Sequence, residues 1–190
     1  MNDQALTAQR RHLANLLEAI QRCLYFLQAS RVKVHWPLQA EELARRDKDV
    51  PLFETLAALN ERFGKLQDTL GAAMRHAFLL AGESGETFLK VLAFHEKIGV
   101  LERATDWQLC RTVRNLAAHA YETDYAAIAE HFNTLNGLTP FLYGTAARFI
   151  DYCQDALAIH PLSDRFTDDC RAITRQAGIP VSGPSPVVKN

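Results

Sequence analysis

The stretch that decides the fold spans residues 51–80 and has the sequence PLFETLAALNERFGKLQDTLGAAMRHAFLL. Its large apolar residues advance in steps of 4, 3, 4, 3, 4, 4 and 4, in the order Leu52, Leu56, Leu59, Phe63, Leu66, Leu70, Met74 and Phe78. This spacing is close to a heptad repeat and predicts a long helix that packs along another helix. The sequence leaves open whether that apolar face belongs to the core or to a dimer interface.

The rest of the chain has the same helical periodicity, and no stretch of useful length alternates as a strand does. Apolar stripes predict further helices at 4–30, 87–97, 124–135, 140–158 and 164–177. Residues 105–108 have the form of a capping box that opens another helix. Residues 136–140, which end in Pro140, are expected to interrupt the helical pattern between 124–135 and 140–158. We therefore predict an all-α, up-and-down helical bundle.

The domain prediction has three parts. Residues 1–160 form the bundle, with a loop and a short helix expected within 31–50. Residues 161–177 add a possible C-terminal helix. Residues 178–190 hold several of the seven prolines and nine glycines and are expected to be a disordered tail.

Composition excludes several classes of protein. The chain has 190 residues, 48% of them hydrophobic and 23% charged, which fits one globular domain. Its 21 basic and 22 acidic residues give a net charge of −1, so any contact with RNA has to come from a local basic cluster. No apolar run is long enough for a membrane span, and the N-terminus has no signal-peptide pattern, so we expect a cytoplasmic protein without membrane contact.

The cysteines and histidines predict neither disulfides nor a metal site. The four cysteines form no C-x-x-C pair, and Cys110 lies on an apolar stripe, where a buried thiol is expected rather than a nucleophile. His95-Glu96 starts like a metalloprotease motif, but Gly99 stands where the second histidine ligand would be. We interpret it as a polar pair at a helix end and predict no metal and no cofactor.

One segment, residues 114–122 with the sequence RNLAAHAYE, combines groups that can carry out chemistry. The Arg114 guanidinium suits phosphate, and the His119 imidazole can give or take a proton near neutral pH. Cleavage of RNA without a metal needs both functions. Arg111 adds a second positive charge one turn before Arg114. The alternative is a solvated arginine and histidine near a helix end, which is common.

Spacing alone does not bring these groups together. On a straight helix Arg114 and His119 would lie about 140° apart around the axis and about 7.5 Å along it. They converge only if the helix ends or distorts near His119, or if a dimer brings two copies of each into one cleft. Tyr121, seven residues after Arg114, shares its face if the helix continues.

The segment resembles the signature of HEPN-domain ribonucleases, an arginine and a histidine separated by four residues, often with asparagine after the arginine. Here these are Arg114, Asn115 and His119. With Tyr121, the longer form resembles the HepT toxins of the MntA–HepT family, a type VII toxin–antitoxin system. The resemblance implies a HEPN-like bundle and a homodimer whose two motifs meet in one cleft. It also implies cleavage of RNA without a metal, leaving 2′,3′-cyclic phosphate and 5′-hydroxyl ends.

The same resemblance implies roles for individual residues and a partner. His119 would be the acid or base, Arg114 would bind the scissile phosphate, and Asn115 would support the site. A minimal nucleotidyltransferase antitoxin would transfer AMP to Tyr121 and so block the cleft. Two alternatives stay open: a non-catalytic helical adaptor or substrate-binding subunit for a nucleotidyltransferase, and a plain helical dimer in which the motif is accidental.

Overall fold

The computed structural model describes residues 3–85, 87–116 and 124–178. All regular secondary structure within these ranges is helical, which confirms the predicted all-α class. The helices are α1 (Asp3–Arg31), α2 (Ala40–Arg45), α3 (Val50–Leu80), α4 (Phe88–Lys97), α5 (Ala104–Leu116), α6 (Tyr125–Leu157) and α7 (Thr167–Gln176). None of them is long and apolar enough to cross a bilayer. Of the predicted tail, residues 179–190 lie outside the described residues.

The core is built on α3, which packs chiefly against α1 and α6. The helix begins where the Asp49 carboxylate accepts a hydrogen bond from the Leu52 backbone N–H, at 3.0 Å, with Pro51 in the first turn. Each apolar residue of the near-heptad series from Leu52 to Phe78 is buried within the chain itself. That face of α3 is therefore core and is not left over for a dimer interface.

The predicted interruption at residues 136–140 is wrong, because α6 runs unbroken from Tyr125 to Leu157 with Pro140 inside it. A proline costs a helix one backbone hydrogen bond and crowds the preceding turn. That cost is offset by burial on both sides of the proline, at Leu135, Leu142 and Tyr143. The Thr139 hydroxyl also donates to the Leu135 carbonyl, at 2.9 Å.

The predicted capping box at Thr105 is also wrong, because α5 already begins at Ala104. The Ala104 backbone N–H donates to the Glu96 carboxylate at the end of α4, at 3.2 Å. Arg103 and Asp106 form an ion pair across the first turn, at 2.9 Å. A carboxylate from the preceding helix therefore takes part of the role that the sequence pattern assigned to a threonine.

The segments on either side of the central helices are tied to them by side-chain hydrogen bonds. Within 31–50, α2 is the short helix, and the Asn133 amide of α6 exchanges two hydrogen bonds with the Leu38 backbone, at 2.8 and 2.9 Å. At the other end, α7 packs on α1 and α6, and the Gln21 amide donates to the Thr167 hydroxyl at 3.2 Å. The C-terminal helix is therefore part of the bundle.

His95 is a core residue and not the polar helix-end residue that the sequence suggested. Its side chain is fully buried, and the Nε2–H group donates to the Met74 carbonyl at 2.9 Å. The rings of Phe94, Phe149 and Tyr152 surround it. Only Glu96 of the predicted pair is exposed.

We expect His95 to make folding sensitive to acid. Burial lowers the pKa of His95 to about 4, whereas a histidine in the unfolded chain titrates near 6.5. As the pH falls the unfolded chain takes up the proton first, so stability is complete above pH 6.5 and declines by about 3 kcal/mol down to pH 4. Urea unfolding across this range should show the decline in wild type and not in His95→Gln. The control is His160→Gln, which changes an exposed histidine and should decline as wild type does. Parallel curves for wild type and His95→Gln would contradict a neutral buried imidazole.

A second prediction concerns the end of α6. Ala158 closes this helix in the left-handed conformation, with φ of 50°, and the Arg10 guanidinium donates to its carbonyl at 3.1 Å. Since this conformation is strained for alanine and free for glycine, Ala158→Gly should raise the free energy of unfolding by about 0.5–1 kcal/mol. The same change at the exposed Ala57 inside α3 should lower it by about as much. If chemical denaturation shows that both variants change the free energy of unfolding in the same direction, this account is contradicted.

Candidate functional site

The described part of the motif lies at the end of α5. This helix buries Trp107, Cys110 and Val113 against the bundle and leaves Arg111 and Asn115 exposed, with Arg114 half-buried. The other two motif residues, His119 and Tyr121, lie outside the described residues. Their predicted relation to Arg114 stays a prediction.

Arg114 is held in place by contacts with α3. Its Nη1 group forms an ion pair with the Asp68 carboxylate and donates to the Gly64 carbonyl at 3.3 Å, and Nε donates to the Asn115 side-chain oxygen at 3.4 Å. The Arg114 side chain is 23% exposed, against 65% for Asp68. Among the described residues nothing accepts a hydrogen bond from Nη2. The guanidinium is therefore fixed on one side and keeps donors for a ligand.

Two grooves meet at Arg114. The larger one, here called the arginine groove, has a volume of about 360 Å³ and lies between α3 and α5. It is lined by Gln67, Asp68, Gly71, Ala72, Arg75, Phe88, Trp107, Arg111 and Arg114. The smaller one, of about 290 Å³, is lined by Asn60, Glu61, Gly64, Lys65, Asp68 and Arg114. The expected proximity of Arg111 to Arg114 is confirmed, since both line the arginine groove.

The aromatic part of the arginine groove rests on α3. The Trp107 side chain is 3% exposed and lies 6.2 Å from the Phe88 ring, centroid to centroid. The Arg75 guanidinium also lies over the Phe88 ring, 5.5 Å from its centroid. Trp107 is therefore a core residue with an edge on the groove.

Cys110 does not contribute a nucleophile to this site. Its side chain is fully buried, and burial raises the pKa of the thiol to about 12. A protonated, enclosed thiol is unreactive near neutral pH. The expectation of a buried structural cysteine is confirmed.

Sequence reasoning missed the residues that α3 contributes to the site. Asp68 and Arg75 are seven residues apart and both are exposed, on the side of α3 opposite its apolar series. That spacing was visible in the sequence as a polar i, i+7 pair. What was missing was the information that α5, and with it the motif arginine, lies across this side of α3.

Comparisons with protein families, with curated proteins and with solved structures each find no match to this chain. In the described ranges, no group of three or more histidine, cysteine, aspartate or glutamate side chains is arranged to hold a metal ion.

The two glycines of α3 beneath this site provide a matched test of its packing. A Cβ atom at Gly64 would meet the Arg114 Cδ at 3.8 Å, an ordinary contact, whereas one at Gly71 would meet Trp107 at 3.3 Å and Phe88 at 3.4 Å. Gly64→Ala should therefore raise the free energy of unfolding by about 0.5–1 kcal/mol through helix propensity. The free energy of unfolding of Gly71→Ala should be at least about 1 kcal/mol lower than that of Gly64→Ala, because the added methyl group overpacks the contact with Trp107 and Phe88. Equal gains in urea denaturation would contradict the close packing over Gly71.

Proposed function

We propose that this chain is a metal-independent endoribonuclease toxin of the HEPN type, in which Arg114 binds the scissile phosphate and His119 moves the proton. The observation that carries the proposal is the way Arg114 is anchored at the border of the arginine groove. This arginine of the R-x4-H-x-Y motif is held by the Asp68 carboxylate and the Gly64 carbonyl, and it borders a groove that also contains Arg75 and Arg111.

The chemistry of that arrangement suits a phosphodiester. A guanidinium stays protonated, donates in a planar fork and stabilises charge that develops on phosphate oxygens. Anchoring it beforehand reduces the ordering that substrate binding would otherwise require. The chain carries a net charge of −1, so RNA binding requires a local basic surface, and the motif arginine together with Arg75 and Arg111 supplies one.

The remaining parts of the proposal follow the resemblance of the motif. The active form is a homodimer in the cytoplasm whose two motifs share a cleft, and Asn115 and Arg111 support the phosphate site. A minimal nucleotidyltransferase acts as antitoxin by transferring AMP to Tyr121. An adenylyl group on this tyrosine adds bulk and negative charge to the motif and opposes the approach of RNA.

The ion pair with Asp68 favours a second candidate function. A carboxylate on the motif arginine offsets the charge that phosphate would use. In that case the chain is a non-catalytic adaptor or substrate-binding subunit for a nucleotidyltransferase, and Arg114 joins α5 to α3. The two functions differ in whether the folded chain alone cuts RNA.

Purified chain, produced without any nucleotidyltransferase and checked for unmodified mass, should cleave total cellular RNA in the presence of EDTA. We expect 2′,3′-cyclic phosphate and 5′-hydroxyl ends. His119→Ala should lower the rate about 100-fold or more, because the proton-transfer group is lost. The control is His160→Ala, which removes an exposed histidine from another part of the chain and should leave the rate unchanged.

Circular dichroism and light scattering on the same samples establish that each variant is folded and report its oligomeric state. Folded, unmodified wild type that leaves RNA intact would overturn the nuclease and favour the adaptor. Cleavage that survives in His119→Ala would show that the motif is not the active site.

A further inference from the structure

We propose that the arginine groove binds a nucleotide of single-stranded RNA next to the scissile phosphate, with Arg111 on its phosphate and Arg75 against its base. This inference rests on the proposed function for the identity of the strand. It goes further by assigning a binding role to residues of α3 and α4 that lie outside the motif.

Charge is the first argument. Three guanidinium groups, of Arg75, Arg111 and Arg114, line the groove, and the single carboxylate among its described lining residues, Asp68, is already paired with Arg114. Within the described residues no carboxylate forms an ion pair with Arg75 or Arg111. Among the described residues, Arg75 and Arg111 therefore keep their positive charges unpaired, in a chain whose total is −1, and a phosphate-bearing ligand fits the groove.

The position of Arg75 is the second argument. Its guanidinium lies over the Phe88 ring, 5.5 Å from the centroid, and the Arg75 side chain is exposed to solvent. A planar cation held on an aromatic ring is a stacking surface for a nucleobase, and stacking of this kind accepts any base. A bare phosphate would not use this surface.

Gln67 is the third argument. Its side chain is 2% exposed, and its Nε2 group donates to the Trp107 carbonyl at 3.0 Å. Within the part of the chain that the structure describes, no group donates to the Oε1 atom, although Gln67 lines the groove. A buried acceptor without a donor is rare in proteins. Oε1 is itself buried, so the amino or imino N–H of a base reaches it only after the Gln67 amide turns toward the groove.

These three features together describe a nucleoside phosphate, which can be a unit of an RNA strand or a free mononucleotide. We assign the strand because Arg114 belongs to both the arginine groove and the motif. A nucleotide seated there is continuous with a phosphate bound at Arg114.

Binding is measured separately from cleavage with a fluorescein-labelled RNA oligonucleotide that carries 2′-O-methyl groups throughout. This probe lacks the 2′-hydroxyl that attacks the phosphate, so it is bound and not cut. By fluorescence anisotropy, Arg75→Ala and Arg111→Ala should each weaken binding about tenfold or more. The matched control is Arg22→Ala, which removes an exposed arginine that also lies over a phenylalanine ring, Phe26 at 5.7 Å, but on α1.

Salt dependence separates the two proposed contacts. If Arg111 contacts a phosphate, Arg111→Ala should lower the slope of log K against log salt by about 0.7. Arg75→Ala should lower the affinity and leave the slope nearly unchanged, because stacking releases no counterion. Thermal unfolding of each variant excludes loss of folding as the cause of weaker binding.

Trp107 provides a second readout that does not depend on any arginine variant. The chain has two tryptophans, so Trp36→Phe leaves Trp107 as the single tryptophan, which can be excited selectively over the five tyrosines. Saturation with the 2′-O-methyl RNA should change its emission. AMP and inorganic phosphate serve as competitors, and we expect AMP to compete weakly and phosphate more weakly still.

The outcomes distinguish this inference from the proposed function. RNA that binds equally to wild type, Arg75→Ala and Arg111→Ala overturns the groove assignment, whether or not the chain is a nuclease. If AMP binds tightly in the groove and the oligonucleotide does not bind, the assignment of an RNA strand as the ligand is overturned, and the groove is a mononucleotide site. If the oligonucleotide binds in a groove-dependent way and ordinary RNA is not cleaved, the groove is supported as an RNA-binding site, and only the proposed nuclease activity is overturned.

Discussion

The packing of α1 against α3 is the constraint on which the rest of the structure depends, since these two helices make the most extensive helix–helix contact in the described part of the chain. Both helices bury leucines along most of their length, from Leu13 to Leu27 on α1 and from Leu52 to Leu70 on α3. Burial on this scale is the dominant favourable contribution to folding. It also fixes the rotation of α3, and therefore which of its residues point away from the core.

That rotation creates the candidate site. With its apolar series turned inward, α3 presents Asp68, Gly71 and Arg75 on its other side, and α5 lies across them. Gly71 lets Trp107 and Phe88 approach the α3 backbone closely, and Asp68 holds the motif arginine. Arg114 and its partner Asp68 therefore come from two different helices and lie 46 residues apart in sequence. Their chemistry depends on the packing of the two helices rather than on either one alone.

The places where sequence reasoning failed have a common physical cause. The break expected before Pro140 and the cap expected at Thr105 were local rules, and tertiary contacts outweighed both. Burial on each side of Pro140 offsets the lost hydrogen bond, and the Glu96 carboxylate reaches the start of α5 from another helix. His95 was judged by its polarity, yet one backbone carbonyl and three aromatic rings make it a core residue. None of these contacts is encoded in the local spacing.

The sequence by itself determined the helical class, the long buried face of α3, the buried state of Cys110 and the neighbourhood of Arg111 and Arg114. Each of these depends on helical periodicity, which is a local property of the chain. Only the tertiary structure decided that Asp68 would pair with Arg114, that Arg75 would lie over Phe88 and that Gln67 would reach the same groove. These contacts join residues that are distant in sequence. They depend on how the helices rotate and cross, which follows from the packing of the whole core and not from any single segment.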